Sequence, residues 1–208
     1  MARYGSDRPD TRFELFIRDV SEEAIKTDFQ VFSKAVEGGG VVRGLCVPGG
    51  ASLSRKDIDG CEGIAKSFGA KGLAWVKIEA EGTKGPIAKF LGEQGEPALR
   101  EAFEAKEGDL LLMVADKESV AATSLGEVRL HLGEKLDLIP EGRFDLLWIT
   151  DFPLLEWSEE DQRYYACHHP FTSPRTEDLE LLDEKPGEVK ARAYDIILNG
   201  IELGGGSI

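Results

Sequence analysis

The spacing of apolar residues changes several times along the chain, and each change predicts an element. Residues 30–36 and 41–47 are rich in β-branched and aromatic side chains and are separated by Gly38-Gly39-Gly40, which predicts two strands joined as a hairpin. Pro48-Gly49-Gly50 ends the second run. Ser54-Arg55-Lys56-Asp57 is an S-x-x-D start signal for a helix. Beyond it, Ile58, Cys61, Ala65 and Phe68 recur three and four apart, on what would be one buried helix face. Residues 73–78 predict a strand. Residues 96–106 predict a second helix with Pro97 in its first turn, where a missing N–H costs nothing. Residues 109–115 are nearly continuously apolar, as a central strand requires. Asp116 is then placed to cap a third helix, with Ala121, Leu125, Val128 and Leu132 inward. Gly126 should weaken that helix by about 1 kcal/mol relative to Ala.

After Pro140 the texture changes. Residues 144–152 predict a strand, and residues 155–157 and 164–166 predict two short strands around a polar turn. Residues 168–174 form a loop between prolines. Residues 192–203 predict a strand pair broken at Asn199-Gly200, the strongest short hairpin signal in the chain. Residues 1–28 are a charged lead-in with one apolar stretch at 15–20. The whole therefore reads as an α+β protein: a mixed sheet with helices packed on it, followed by antiparallel strands.

Composition narrows the function more than the fold. Lys and Arg total 25 against 39 Asp and Glu, a net charge of −14. A surface gripping nucleic acid needs clustered basic residues, and no basic stripe with interleaved aromatics is present, so little direct nucleic-acid binding is expected of these residues. The three cysteines, Cys46, Cys61 and Cys167, form no C-x-x-C pair, which fits reduced thiols in a cytoplasmic protein. No apolar run approaches the roughly 18 residues a membrane span needs.

Two clusters carry candidate chemistry. His168-His169-Pro170 puts adjacent imidazoles on a loop, able to donate to a carboxylate or to ligate a metal; one bonded to backbone and one facing water is the plainer reading. Asp195 and Glu202 lie on the arms of the Asn199-Gly200 hairpin, out of pattern in strands otherwise apolar. Such a pair should hold a cation or a base, and Mg²⁺ bridging nucleotide phosphates suits one or two carboxylates; two solvent-facing side chains are the alternative. Gly204-Gly205-Gly206 would let backbone approach a ligand closely.

Read in order, these segments form a resemblance. Tyr4-Gly5-Ser6-Asp7-Arg8-Pro9-Asp10-Thr11-Arg12-Phe13 resembles the segment that enters the insertion of bacterial-type aspartyl-tRNA synthetases. Residues 47–55 (VPGGASLSR) and 69–74 (GAKGLA) are similar to that insertion's own signatures, the GAD-type domain. His168-His169-Pro170-Phe171-Thr172-Ser173-Pro174 is similar to the family's histidine loop. Ala193-Tyr194-Asp195, with residues 199–207 (NGIELGGGS), resembles its ATP-side strand pair.

The resemblance implies a division into a catalytic-domain lead-in (1–28), a GAD-type insertion (29–135) and a truncated catalytic-domain segment (136–208). It implies a class II ligase that activates aspartate with ATP and passes it to tRNA, in a homodimer without membrane attachment. His168, and beside it His169, would bind aspartate; Asp195 and Glu202 would hold Mg²⁺, and Glu202 ATP. The family also needs an Arg-bearing phosphate-gripping motif, an aspartate-binding Arg, a Gly-x-Asp-Arg ATP motif and an anticodon-binding barrel, none of them among these residues, so no catalytic set is complete and this polypeptide alone should not aminoacylate. Two other classes stand beside this one. One is a free-standing GAD-type binding module like that of tRNA-dependent amidotransferase subunits. The other is a small metal-dependent hydrolase built on His168, His169, Asp195 and Glu202.

Overall fold

The computed structural model describes residues 1–208, which divide into two units: Met1–Asp7 with Phe13–Glu141, and Arg8–Arg12 with Gly142–Ile208. The boundaries expected at 28/29 and 135/136 both fall inside the first unit. Its elements are β1 (Arg18–Asp19), α1 (Ser21–Ala24), α2 (Gln30–Glu37), β2 (Val41–Val47), α3 (Arg55–Ser67), β3 (Ala74–Glu79), β4 (Gly82–Lys84), α4 (Gly92–Phe103), β5 (Leu110–Asp116) and α5 (Glu118–Lys135).

The five strands form one sheet in the order β1-β2-β5-β3-β4. The fold is α+β as expected, but where a mixed sheet was expected each ladder is antiparallel. The nearly continuous apolar run of β5 follows from its central place. Leu110, Leu112 and Val114 join a cluster with Ile58, Cys61 and Ala65 of α3 and Ala121, Leu125, Val128 and Leu132 of α5. Leu111 and Met113 point the other way, into a cluster with Phe32 of α2 and Leu99 and Phe103 of α4. With both faces covered, neither set of alternate positions can be polar. Each fully buried Leu or Phe contributes roughly 1.5–3 kcal/mol, before the entropy of ordering it.

Several local expectations change. Residues 30–36 are helical, not a hairpin arm, and Gly38 to Gly40 lead from α2 into β2. Phe29, Phe32 and Val36 pack into one cluster, and their spacing of three and four residues is that of a helix face and not of a strand. The second helix begins at Gly92, so Pro97 lies in its second turn and withholds an N–H from the ladder. Asp116 does not cap α5: its carboxylate accepts from the Lys117 N–H, Lys117 is the residue at the cap position, and no side-chain cap forms. The Ser54/Asp57 capping box forms in full. Phe68, expected on the buried face of α3, follows the last turn and is exposed.

Two features of α5 were not anticipated. Arg129 is almost fully buried and donates from Nε to the Leu15 carbonyl (2.6 Å) and from Nη2 to the Phe13 carbonyl (2.9 Å). Its guanidinium also lies 3.9 Å from the centre of the Phe13 ring. It thereby fastens the leading segment, with Phe13, Leu15 and Ile17 in the core, onto the helix. Gly126 sits where that segment crosses: a β-carbon there would lie 2.8 Å from the Gly5 carbonyl oxygen. The helix-propensity cost of Gly126 is offset by a crossing that any larger residue would block.

The second unit has β6 (Leu146–Ile149), β9 (Ala193–Leu198) and β10 (Ile201–Ser207) in one antiparallel sheet, ordered β10-β9-β6, and a separate hairpin of β7 (Leu155–Ser158) and β8 (Arg163–Ala166). The apolar stretch expected to span 144–152 is extended only over the four residues of β6.

Candidate active site

The site is built on the β9–β10 hairpin. Asn199 (φ 52°) and Gly200 (φ 82°) both adopt left-handed backbone, the conformation whose twist matches a two-residue hairpin turn. The Asn199 side chain also closes the neighbouring strand. Its Oδ1 accepts from the Asp145 N–H (2.9 Å), and its Nδ2 donates to the Arg143 carbonyl (3.0 Å). The turn is thus pinned to the start of β6.

From this turn the register follows. Glu202 pairs with Ile197 and Gly205 with Asp195, with a bulge between Glu202 and Gly204. Alternation along β9 puts Asp195 and Ile197 on one face, and Glu202 shares the face of its partner Ile197. Both carboxylates therefore stand on the same side of the sheet. Asp195 is half-buried, Glu202 is exposed, and neither carboxylate has a hydrogen-bond or ion-pair partner elsewhere in the protein.

The histidine loop meets them there. His168, His169, Asp195 and Glu202 all line one depression of about 240 Å³, floored by Ala193, Gly205, Gly206 and Ser207. The His168 ring packs edge-on against Phe152, with centroids 4.9 Å apart. His169 accepts the Phe171 N–H at Nδ1 (3.2 Å), which fixes that nitrogen as an acceptor and leaves Nε2 for a proton. Both rings remain exposed; the His169 imidazole takes a backbone bond, as the plainer reading expected of one of the pair, and both residues line the depression.

Ser173, which sequence reasoning passed over, fastens this loop. Its N–H (2.7 Å) and its hydroxyl (2.6 Å) both donate to the Ile208 carbonyl, and its own carbonyl accepts from the Arg192 N–H (2.9 Å). The loop is thereby stitched to the start of β9 and the end of β10. Nothing in its sequence marks Ser173, because its partners are backbone groups brought close only by folding.

No arginine or lysine lines the depression, and no three His, Cys, Asp or Glu residues anywhere converge closely enough to hold a metal ion by themselves. Two unpaired carboxylates on one face suit a divalent ion that takes its remaining ligands from water and phosphate oxygens. The arrangement offers imidazole donors and carboxylate acceptors side by side, and lacks a cation for an anionic substrate.

The opposite face of the sheet inverts the usual pattern. Leu146, Trp148, Tyr194 and Ile201 are exposed there, with Trp148 and Tyr194 stacked edge-on at 5.5 Å.

The cysteines take no part in this site. Burial pushes the Cys46 thiol up to about 12 and the Cys61 thiol up to about 11, so neither is a nucleophile near neutral pH. No helix is long and apolar enough to cross a membrane.

Comparison with known proteins accounts for both units. Residues 32–125 match the GAD domain family. Over 209 aligned positions, covering all of this chain, it is 57% identical to proteins named aspartate–tRNA(Asp/Asn) ligase from Bacillus mycoides and from Bacillus anthracis. The same identity and coverage hold for the protein of that name from Bacillus cereus. In each case the chain spans 35% of the length of the relative. The chain carries a GAD domain and is homologous along its whole length to about a third (35%) of the aspartate–tRNA ligases it matches.

Proposed function

We propose that these residues form the GAD domain and part of the catalytic site of an aspartate–tRNA ligase, which activates aspartate with ATP to aspartyl-adenylate and transfers aspartate to tRNA. The observation that carries this reading is the convergence of His168 and His169 with Asp195 and Glu202 on one depression, in a chain 57% identical throughout to such ligases. In this reading His168 binds aspartate, with His169 beside it, and donates to the substrate from the imidazole. Asp195 and Glu202 hold Mg²⁺ on the phosphates of ATP, and Glu202 also contacts the nucleotide. Bound Mg²⁺ supplies neutralisation of phosphate charge. The protein's own part is to align the aspartate carboxylate on the α-phosphate and to hold charge where it develops.

Residues outside this segment complete the site, since the depression has no cation for the substrate carboxylate or for phosphate. They also cover the apolar face of the β6–β9–β10 sheet. The active species is therefore the longer polypeptide, a cytoplasmic homodimer that meets tRNA mainly through its other parts.

The test is aspartate-dependent ATP–pyrophosphate exchange by the full-length protein. Asp195→Asn and Glu202→Gln should each lower kcat/KM by roughly 10²–10³-fold, the scale of losing one charge-stabilising group. His168→Ala should raise KM for aspartate more than KM for ATP, and residues 1–208 alone should show no exchange. Wild-type kinetics in Asp195→Asn and Glu202→Gln would overturn the assignment. Charging of tRNA-Asp and tRNA-Asn by the same protein decides whether the double specificity in the relatives' names extends to this one.

A further inference from the structure

The glycines 204 to 206 meet three different environments. A β-carbon on Gly204 would touch nothing within 4 Å. One on Gly206 would come within 2.6 Å of the Tyr194 hydroxyl. One on Gly205 would overlap Oδ1 of Asp195 and come within 3.0 Å of the Tyr194 carbonyl oxygen. The Asp195 side chain therefore does not stand off the sheet. It lies across the strand onto the bare backbone of its register partner, Gly205, and this brings its carboxylate over β10, the strand that carries Glu202.

We propose that Gly205 is a positioning residue for the cation site. It supplies no ligand; the space left by its missing side chain lets the Asp195 carboxylate lie within the depression and share an ion with Glu202. The inference rests on the reading of Asp195 and Glu202 as Mg²⁺ ligands. The bulge before Gly204 belongs to the same device, because the extra residue sets Gly205, and not Gly204, opposite Asp195. None of the three glycines has a positive φ, so alanine at any of them meets no backbone penalty of the left-handed kind. At position 205 the only atom that a methyl group would overlap outright is the end of a flexible side chain; the Tyr194 carbonyl oxygen, at 3.0 Å, needs to give by only a few tenths of an ångström. The methyl group would therefore turn the carboxylate aside and leave the hairpin in place.

The experiment uses the full-length protein and variants Gly204→Ala, Gly205→Ala, Asp195→Asn and the double variant Gly205→Ala/Asp195→Asn. Mn²⁺ binding in the presence of a non-hydrolysable ATP analogue is followed by electron paramagnetic resonance, a readout independent of turnover. Gly205→Ala should weaken Mn²⁺ binding by about tenfold, the lower end of what loss of a group orienting a ligand costs. Gly204→Ala should bind as wild type, and the double variant should bind no worse than Asp195→Asn alone. If Asp195→Asn has no effect on Mn²⁺, the reading of the cation site fails and this inference with it. If Asp195→Asn weakens binding while Gly205→Ala matches Gly204→Ala, the cation site stands and the role of Gly205 is refuted. Should Gly205→Ala melt early, thermal unfolding decides: a collision with the carboxylate predicts that Asp195→Ala restores the melting temperature of Gly205→Ala. A melting temperature left low in that double variant would mean a backbone cause and would refute the proposal.

Discussion

The two units solve opposite problems with the same alternation of side chains. In the first, both faces of the sheet are covered by helices, and Leu110 to Val114 are buried whichever way they point. In the second, the face bearing Asp195 and Glu202 is recessed and also holds buried Ile197 and half-buried Leu147 and Ile149, while Leu146, Trp148 and Ile201 on the other are in contact with water. A sheet built only for its own stability would not leave such large apolar side chains in water. The first unit has a core of its own. The second gathers the candidate site residues on one side and leaves an apolar surface exposed on the other.

The sharpest test of that difference is Arg129→Met. This change removes the donors to the Phe13 and Leu15 carbonyls inside the first unit and leaves both acceptors buried. It should cost about 3 kcal/mol, at roughly 1–3 kcal/mol for each orphaned group. Denaturant unfolding of residues 1–208 measures it, and a cost below 1 kcal/mol would mean that the leading segment is held by apolar packing alone. Trp148→Ser in the second unit, although it deletes a large aromatic, should change the stability of residues 1–208 by no more than about 0.5 kcal/mol, as at other solvent-exposed positions. In the full-length protein the same substitution should cost several-fold more; equal costs in the two proteins would break the contrast between a closed and an open sheet.

The smallest expected effect lies at the start of α3. Lys135, 2.8 Å away, and then the capping contacts of Ser54 hold the Asp57 carboxyl well below the usual carboxylate range. A carboxyl depressed by folding adds stability above its unfolded value, about 4, and that stability is lost as the pH falls through the folded value. Lys135→Met removes the leading cause, so its stability deficit relative to wild type should be present at pH 6 and shrink as the pH falls below about 4. A deficit independent of pH would assign the role of Lys135 to packing.

What was legible in the sequence were features encoded within a few neighbouring residues. The Ser54/Asp57 capping box, the Asn199-Gly200 turn and the unbroken apolar run of β5 each depend on residues side by side or one turn apart. The misreading of residues 30–36 as a strand came from composition: Val31, Phe32 and Val36 favour extended backbone, and only packing of Phe32 against the sheet selects the helix. The four candidate site residues were visible as odd polar insertions with no way to gauge their separation. By itself the sequence determined the turn that pairs β9 with β10, and hence that Asp195 and Glu202 share a face, because a two-residue turn sets register locally. Tertiary structure alone decided that the histidine loop meets that face, that Ser173 holds it there, that Arg129 is buried, and that Asp195 rests on Gly205. Each of these joins residues far apart or across a bulge, and depends on distances that exist only after the chain has closed on itself.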